Sequence, residues 1–326
     1  LIAIGIFMVL ALFLNCISSN FILLEGGLSG VTISTYPSTD EAMLGAEAAY
    51  AAMETELQNE ADNYETLHPG YDEYRYDLDK IGHDPYVLIS ILTAWYGGEW
   101  TLDEVQDTLS MLFSKQYQLS QTVTTETSGE SEYTVCTVTL HNENLSHLPV
   151  FILSEDKVGL YSMYISTLGN RSDLFPTSAY PNASTKKDYT EYDIPPEALK
   201  DEQFAAMMKE AEKYLGYPYV WGGSNPTTSF DCSGFVSWVI NHSGWNVGRL
   251  GAQGLYNICT PVSAADAKPG DLVFFEHTYD TDGVSHVGIY VGNGMMIAAG
   301  DPIGYSNLKT SYWQSHFYSY GRLPAR

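Results

Sequence analysis

The sequence predicts an α+β protein with two folded units behind an apolar N-terminal segment. Three observations support this fold class. The length of 326 residues exceeds one average domain and allows two modest cores. Apolar residues recur every three or four positions up to about residue 113, as in helices, and then alternate, as in strands. A second helical stretch around residue 235 again precedes alternating segments.

The chain is strongly acidic. It has 40 Asp and Glu against 15 Lys and Arg, which gives a formal net charge of -25. An anion of this size is repelled by phosphate backbones and by acidic lipid headgroups. We therefore expect no nucleic-acid partner.

Cysteine usage gives no sign of a metal site or of a disulfide framework. The cysteines are Cys16, Cys136, Cys232 and Cys259, and they form no C-x-x-C pair with histidines at zinc spacing. We expect no metal and no cofactor. A bridge between Cys136 and Cys259 stays open as the less common alternative to free buried thiols.

The first 24 residues predict a transmembrane helix. Residues 1–24 carry no charged side chain and are long enough to cross a bilayer core of ~30 Å. A signal peptide is the competing interpretation, but the stretch lacks a basic start and a small-x-small cleavage site. The next Lys or Arg is Arg75, so the positive-inside bias places the C-terminal part outside the cytoplasm, in a single-pass topology.

A linker at residues 25–39 leads to a first domain, predicted over residues 40–175. Its first helix begins with a capping box of Ser38 and Glu41 and carries one apolar stripe. Packing on its own domain and a coiled-coil stalk both fit that stripe. Two further helices have start signals, at Asp84 with Pro85 and at Thr101 with Glu104.

After these helices, apolar residues recur at every second position, as in a strand. Residues 117–127 and 133–145 alternate about a short turn, which predicts a β-hairpin, and residues 148–153 predict a third strand. We find no catalytic constellation in this domain. Its histidines are interpreted as surface or satisfied core residues: His83, His141 and His147.

A linker at residues 176–196 precedes a second domain at residues 197–326. After one amphipathic helix and a Gly-rich loop, Cys232 falls at the N-terminus of a predicted helix. The free amides and the dipole of a helix N-terminus favour the thiolate, which is the reactive form of cysteine. Taken alone, however, Cys232 is more often a packed apolar residue than a nucleophile.

A proton acceptor for this thiol lies further along the chain. His286 opens a predicted strand, a tight turn follows at residues 292–294, and residues 295–299 return as the paired strand. A thiol at a helix N-terminus with an imidazole on a strand is the arrangement of papain-like cysteine peptidases. There the histidine activates the sulfur and later protonates the leaving amine.

Four segments carry a resemblance to a known family. YVWGG, DCSGFV, PGDLVFF and SHVGIYVGNGMMI occur in the order and spacing of NlpC/P60 cell-wall peptidases, which residues 200–324 resemble. The resemblance implies a papain-like fold, with helices packed on an antiparallel sheet. It also implies a murein stem peptide as substrate, cut between D-γ-glutamyl and the diamino acid. The layout with a membrane segment resembles wall hydrolases of Gram-positive conjugative elements.

The resemblance also implies a role for each matching position, without a metal ion. Cys232 is the nucleophile and His286 is the base. Substrate contacts are implied at four further positions: Tyr219 over the thiol, Asp231 and Ser233 at the amino end of the stem peptide, and Ser285 beside the base.

One position departs from the family's pattern. The third polar residue, usually a histidine, is Ala298 in this sequence, and a methyl group cannot hydrogen-bond an imidazole. Disabling the corresponding aspartate of serine-protease triads costs about 10⁴ in turnover. Because a thiol depends less on this orienting residue, we expect activity that is reduced by about 10- to 10³-fold rather than abolished.

The leading hypothesis is a membrane-anchored peptidoglycan hydrolase with its C-terminal domains on the cell-wall side. The expected partners are stem peptides, the membrane, and proteins of a conjugation or secretion channel. The main alternative is a catalytically impaired wall-binding or scaffold component of such an apparatus. An amidase or acyltransferase on the same fold is a third interpretation.

Overall fold

The structure is a computed structural model that describes residues 34–325. The transmembrane helix predicted at residues 1–24 and most of the linker predicted at residues 25–39 lie outside the described residues. Between residues 34 and 325, no helix is both long and apolar enough to cross a membrane.

The helices of the N-terminal unit, residues 34–175, begin at caps that the sequence largely predicts. The predicted caps at Asp84 and Thr101 are both formed. The first helix differs, because Thr39 and not Ser38 accepts its capping hydrogen bond. The helices are α1 (Asp40–Asp62), α2 (Tyr64–Leu67), α3 (Pro85–Tyr96), α4 (Leu102–Gln116), α5 (Pro149–Ile152) and α6 (Glu155–Thr167).

A three-stranded sheet accompanies these helices. Its strands are β1 (Glu73–Leu78), β2 (Tyr117–Ser128) and β3 (Ser131–Asn142), in the order β1-β3-β2. The predicted hairpin of β2 and β3 is confirmed. The strand predicted at residues 148–153 is wrong: Pro149 opens a helical turn there, at a position where its missing N–H costs nothing. The third strand is β1, which runs parallel to β3.

The C-terminal unit, residues 197–325, packs helices on an antiparallel sheet. Its six-stranded sheet has the order β10-β9-β8-β7-β11-β6. The helices and strands are α7 (Glu202–Ala211), β4 (Ser224–Asn225), β5 (Ser229–Phe230), α8 (Cys232–His242), α9 (Ala252–Ile258), β6 (Thr260–Val262), β7 (Leu272–Glu276), β8 (Val284–Gly292), β9 (Met295–Ala298), β10 (Gly304–Asn307), α10 (Ser311–His316) and β11 (Phe317–Arg322).

Both faces of this sheet are covered. α8 and α9 pack against β8 on one face and bury Phe235, Val287 and Ile289 between them. On the other face, α10 places Trp313 over a smaller apolar cluster that includes Phe275. The central strand β7 is accordingly buried over residues 272–275.

The segment predicted as a linker is packed against both units. Residues 176–196 contain no helix or strand. The Ser184 amide donates a hydrogen bond to Asp84 at 3.1 Å, and the Tyr305 amide of β10 donates one to the Thr190 carbonyl at 3.3 Å. The division into domains at residues 40–175 and 197–326 stays a prediction.

A buried ionic cluster joins α1 to the loop before α3. His83 Nε2 lies 2.7 Å from Glu47 Oε2, and His83 Nδ1 lies 3.0 Å from Glu54 Oε1. Burial by itself lowers the pKa of His83, but the two carboxylates outweigh it and raise the pKa to about 9. His83 is therefore a core histidine that lies between two carboxylates and carries a positive charge at neutral pH.

The His83 cluster predicts a pH dependence of stability. The folded-state pKa is above the unfolded value, so the stabilisation is complete below pH 6.5 and is lost as the pH rises through 9. We expect the free energy of unfolding to fall by up to about 3 kcal/mol over that range. Denaturant titrations at several pH values measure it. The decline should disappear in His83→Gln and persist in the matched control His141→Gln, whose side chain is 60% exposed; a decline that survives His83→Gln contradicts the prediction.

Candidate active site

Cys232 is the first residue of α8, as the sequence predicts. Asp231 caps the helix, and its Oδ1 accepts the Gly234 amide hydrogen with a donor–acceptor distance of 2.6 Å. Residue 234 must be glycine, because a Cβ there would lie 2.2 Å from the Gly223 carbonyl oxygen. The local sequence therefore fixes the thiol at the amino end of α8, close against the preceding loop.

The thiol lies against β8. Cys232 is 5% exposed, and its Sγ donates a hydrogen bond to the Ser285 carbonyl oxygen at 4.0 Å. Ser285 immediately precedes His286 on β8. The predicted nucleophile and the predicted base are thus carried by adjoining elements, but the thiol hydrogen bond goes to the backbone beside the base.

His286 packs against two aromatic rings that also contact each other. Its ring lies 5.9 Å from the ring of Phe275 and 5.2 Å from that of Trp313, measured between centroids. The residue as a whole is only partly buried. Its Nε2, however, is buried and has no hydrogen-bond partner within the described chain. Packing, and not a polar contact at Nε2, fixes the orientation of the imidazole on that side.

Ala298, predicted at the third catalytic position, lies on the same face of the sheet as Phe275, which packs against His286. It lies on β9, and a Cβ built at Gly288 of β8 would come within 3.1 Å of the Ala298 Cβ. Because side chains alternate along a strand, residues 286 and 288 share a face of β8, and Ala298 lies on that same face. A methyl group there offers the imidazole no hydrogen bond.

Burial sets the protonation of both groups. It raises the pKa of Cys232 to about 12, with Asp231 adding to the rise, while the backbone amides of Val287 and Ser233 and the Arg249 guanidinium oppose it. Burial also lowers the pKa of His286 to about 4. The sequence predicted that the helix N-terminus favours the thiolate, but desolvation outweighs this effect. At neutral pH, the resting pair is therefore a thiol and a neutral imidazole.

Two tyrosines border the thiol. Burial raises the pKa of Tyr219 far above its usual range, and the nearby Cys232, Asp231 and Tyr279 add to the rise. Tyr219 also forms a backbone bridge with Phe230, two residues before Cys232; its implied position over the thiol stays a prediction. Tyr279, in the loop between β7 and β8, was not predicted, because no motif marks it. Its phenol pKa is raised by burial and by the proximity of Cys232 and Asp231.

Asp231 and Ser233 are already engaged by an arginine that the sequence analysis did not single out. Arg249 Nη2 donates to Asp231 Oδ2 at 2.7 Å, and Arg249 Nη1 donates to Ser233 Oγ at 3.0 Å. The Arg249 side chain is 38% exposed and the Asp231 side chain 13%. A substrate amine at this end would have to share Asp231 with the guanidinium.

The Ser285 side chain holds the loop between β7 and β8. Its side chain is buried, and its Oγ accepts a hydrogen bond from the Thr278 amide at 2.9 Å. It is therefore the Ser285 carbonyl, and not the hydroxyl, that meets the thiol. The loop that carries Tyr279 is held to the start of β8 in this way.

The remaining cysteines and acidic groups form no further site in the described part. Cys136, Cys232 and Cys259 are all free, so the open alternative of a Cys136–Cys259 bridge is wrong; Cys16 lies outside the described residues. Between residues 34 and 325, no group of three His, Cys, Asp or Glu side chains is arranged to hold a metal ion.

The C-terminal unit matches a known family. The model of the NlpC/P60 family matches residues 216–322. This part of the chain is an NlpC/P60 domain. The match contains the Cys232 helix, the His286 strand and the Ala298 strand.

Two curated proteins are similar to about a third of this chain. Bifunctional muramidase/DL-endopeptidase CwlT of Bacillus subtilis (strain 168) is 49% identical over 121 residues, which are 37% of this chain and 36% of that protein. Probable endopeptidase p60 of Listeria seeligeri is 49% identical over 119 residues, 36% of this chain and 22% of that protein. The chain thus spans about a third or less of the length of these relatives.

A solved structure of an NLP/P60 family protein from Staphylococcus aureus subsp. aureus Mu50 is also similar. It is 26% identical, with a TM-score of 0.38, and the alignment covers 74% of this chain and 75% of that one.

The protonation of the resting pair predicts how Cys232 reacts with iodoacetamide. Because burial holds the thiol pKa at about 12 and the imidazole pKa at about 4, alkylation should be slow at pH 7 and should rise through pH 9 and above. Peptide-resolved mass spectrometry measures the rate at each pH. His286→Ala should leave this profile nearly unchanged. Rapid alkylation below pH 8 that depends on His286 would instead reveal a preformed ion pair.

Proposed function

We propose that this protein is a peptidoglycan hydrolase that cuts stem peptides between D-γ-glutamyl and the diamino acid. One observation carries the proposal: the buried thiol of Cys232 lies at the amino end of α8, beside the strand of His286, inside an NlpC/P60 domain. The 49% identity to a DL-endopeptidase supports the bond type. Peptidoglycan is the corresponding substrate.

The mechanism begins from neutral groups. As the Cys232 sulfur attacks the peptide carbonyl carbon, its proton passes to His286, which acts as general base. The free amides at the amino end of α8 stabilise the developing oxyanion. The intermediate collapses to a thioester as the imidazolium protonates the leaving amine. Water then hydrolyses the thioester, with His286 again as base, and the thiol is restored.

Ala298 weakens this cycle without removing a reacting group. A base that accepts a proton on one ring nitrogen is most effective when the other nitrogen has a polar partner. Here Nε2 is buried without one, so the imidazolium formed during the reaction gains no compensating hydrogen bond there. Packing by Phe275 and Trp313 still holds the ring. We therefore propose reduced turnover.

We also propose the cellular setting. Residues 1–24 anchor the chain in the membrane as a single-pass helix, with the C-terminal domains on the cell-wall side of a Gram-positive bacterium. The uncharged apolar stretch and the absence of Lys or Arg before Arg75 support this topology. Conjugation or secretion channel proteins are the proposed partners beside the stem peptides.

A second candidate function is a wall-binding or scaffold component with impaired catalysis. Two observations favour it: the thiol is protonated at rest, and Nε2 of the base is unpartnered. Such a protein binds stem peptides but does not cleave them. An assay that measures binding and product in one sample separates the two functions.

The role of residue 298 gives a direct test of the proposed peptidase. We expect the full chain to release new amines from purified muropeptides, and Cys232→Ala and His286→Ala to release none. Ala298→His should raise turnover by about 10- to 10³-fold, because it supplies the missing partner of the imidazole. The rates of amine release at equal enzyme concentration measure each effect.

Residue 298 lies in a packed cluster with Phe275, Met296 and Leu308. A larger side chain there costs about 1–3 kcal/mol of stability, so Ala298→Asn and thermal melting of both variants serve as controls. If folded Ala298→His and the parent both leave muropeptides uncut, the proposed peptidase activity is wrong. Binding of the peptide in that case favours the scaffold.

A further inference from the structure

The N-terminal unit touches the loop that leads to the thiol. His147 stacks on Trp221, with ring centroids 3.9 Å apart and planes 16° from parallel. The next residue, Gly222, packs against α5: a Cβ on Gly222 would lie 2.8 Å from Val150 Cγ2. Asn225 donates a hydrogen bond to Glu155 at 3.0 Å. One face of the N-terminal unit is thus fitted to residues 221–225.

The same loop contacts a tyrosine of the loop between β7 and β8. The rings of Trp221 and Tyr279 meet edge to face, with centroids 4.9 Å apart and planes at 79°. Tyr279 is 40% exposed and lies near enough to Cys232 and Asp231 for both to affect its pKa. The indole therefore contacts His147, which stacks on its face, and Tyr279.

The loop is also tied to the helix cap. The Gly222 amide donates a hydrogen bond to Asp231 Oδ2 at 3.2 Å, and Asp231 caps the helix that carries Cys232. Gly222 has a φ of +73°, a conformation that glycine adopts at low cost. Residues on the N-terminal unit, the loop and the thiol helix are in this way connected by direct contacts.

We propose that His147 is a positioning residue of the thiol site, and that the N-terminal unit completes the peptide-binding cleft by holding Trp221 as its wall. This inference rests on the proposed function and adds a role for residues 40–175. Without His147, one face of the indole loses its packing and the wall turns away from Tyr279. The peptide then binds less well, whereas the reaction of the thiol with a small reagent does not change.

The test measures peptide binding separately from peptide cleavage. The probe is the tripeptide L-alanyl-γ-D-glutamyl-diaminopimelate, titrated calorimetrically into the full chain that carries Cys232→Ala. His147→Ala should raise its Kd by about three- to tenfold, as expected for the loss of one aromatic contact. In the chain with Cys232 intact, KM should rise by a similar factor with little change in kcat.

Three controls separate positioning from general damage. His147→Phe keeps a ring on the indole and should restore the parent Kd. His141→Ala, on an exposed histidine of the same unit, should leave the Kd unchanged. The rate of iodoacetamide alkylation of Cys232 at pH 9 should be the same in His147→Ala and the parent.

Each opposite result overturns the inference. An unchanged Kd and KM in His147→Ala would show that the stack does not position the peptide. A Kd in His147→Phe as poor as in His147→Ala would exclude stacking as the cause, and slower alkylation in His147→Ala would show general damage to the site. In all these cases the proposed function stands. A parent chain that neither cleaves nor binds the tripeptide refutes the proposed function, and the inference falls with it.

Discussion

The active site depends on one close approach of two backbone segments. Gly234 in the first turn of α8 lies against the Gly223 carbonyl oxygen, at a distance that no side chain at position 234 would permit. This contact keeps Asp231 in place to accept hydrogen bonds from both the Gly234 amide and the Gly222 amide. The thiol of Cys232 lies beside the first residues of β8, at the Ser285 carbonyl. The same backbone contact therefore positions the loop before α8, the cap of α8, the thiol of Cys232 and the start of β8.

Burial at that point has opposing consequences. It excludes water from the thiol, which strengthens the electrostatic effect of the helix amides on a charge formed during the reaction. It also disfavours any charge at rest, which is why both Cys232 and His286 are neutral. In the proposed mechanism, charge develops only when a substrate carbonyl accepts the electrons of the sulfur. The proposed effect of Ala298 is that the cost of this charge on the imidazole stays largely uncompensated.

Local chemistry made part of this structure predictable. Caps at Asp84 and Thr101, the hairpin of β2 and β3, and the positions of Cys232 and His286 all follow from residues close in sequence. β1 was missed although Tyr74, Tyr76 and Leu78 alternate with charged residues, because the strand has only six residues and is mostly exposed. Arg249 and Tyr279 were missed because only the folding of distant segments brings them to the thiol. Short apolar runs, as at residues 148–153, fit a strand and a helix equally well.

The segment between the two units has a consequence for solubility. β10 is the outermost strand of the large sheet, and an open strand edge can recruit a second chain by backbone pairing. Thr190 accepts the Tyr305 amide hydrogen, and the neighbouring Tyr189 lies against Gly304. Proteolytic cleavage near residue 190 would uncover this edge, so a nicked or truncated form should self-associate even if each of its domains stays folded.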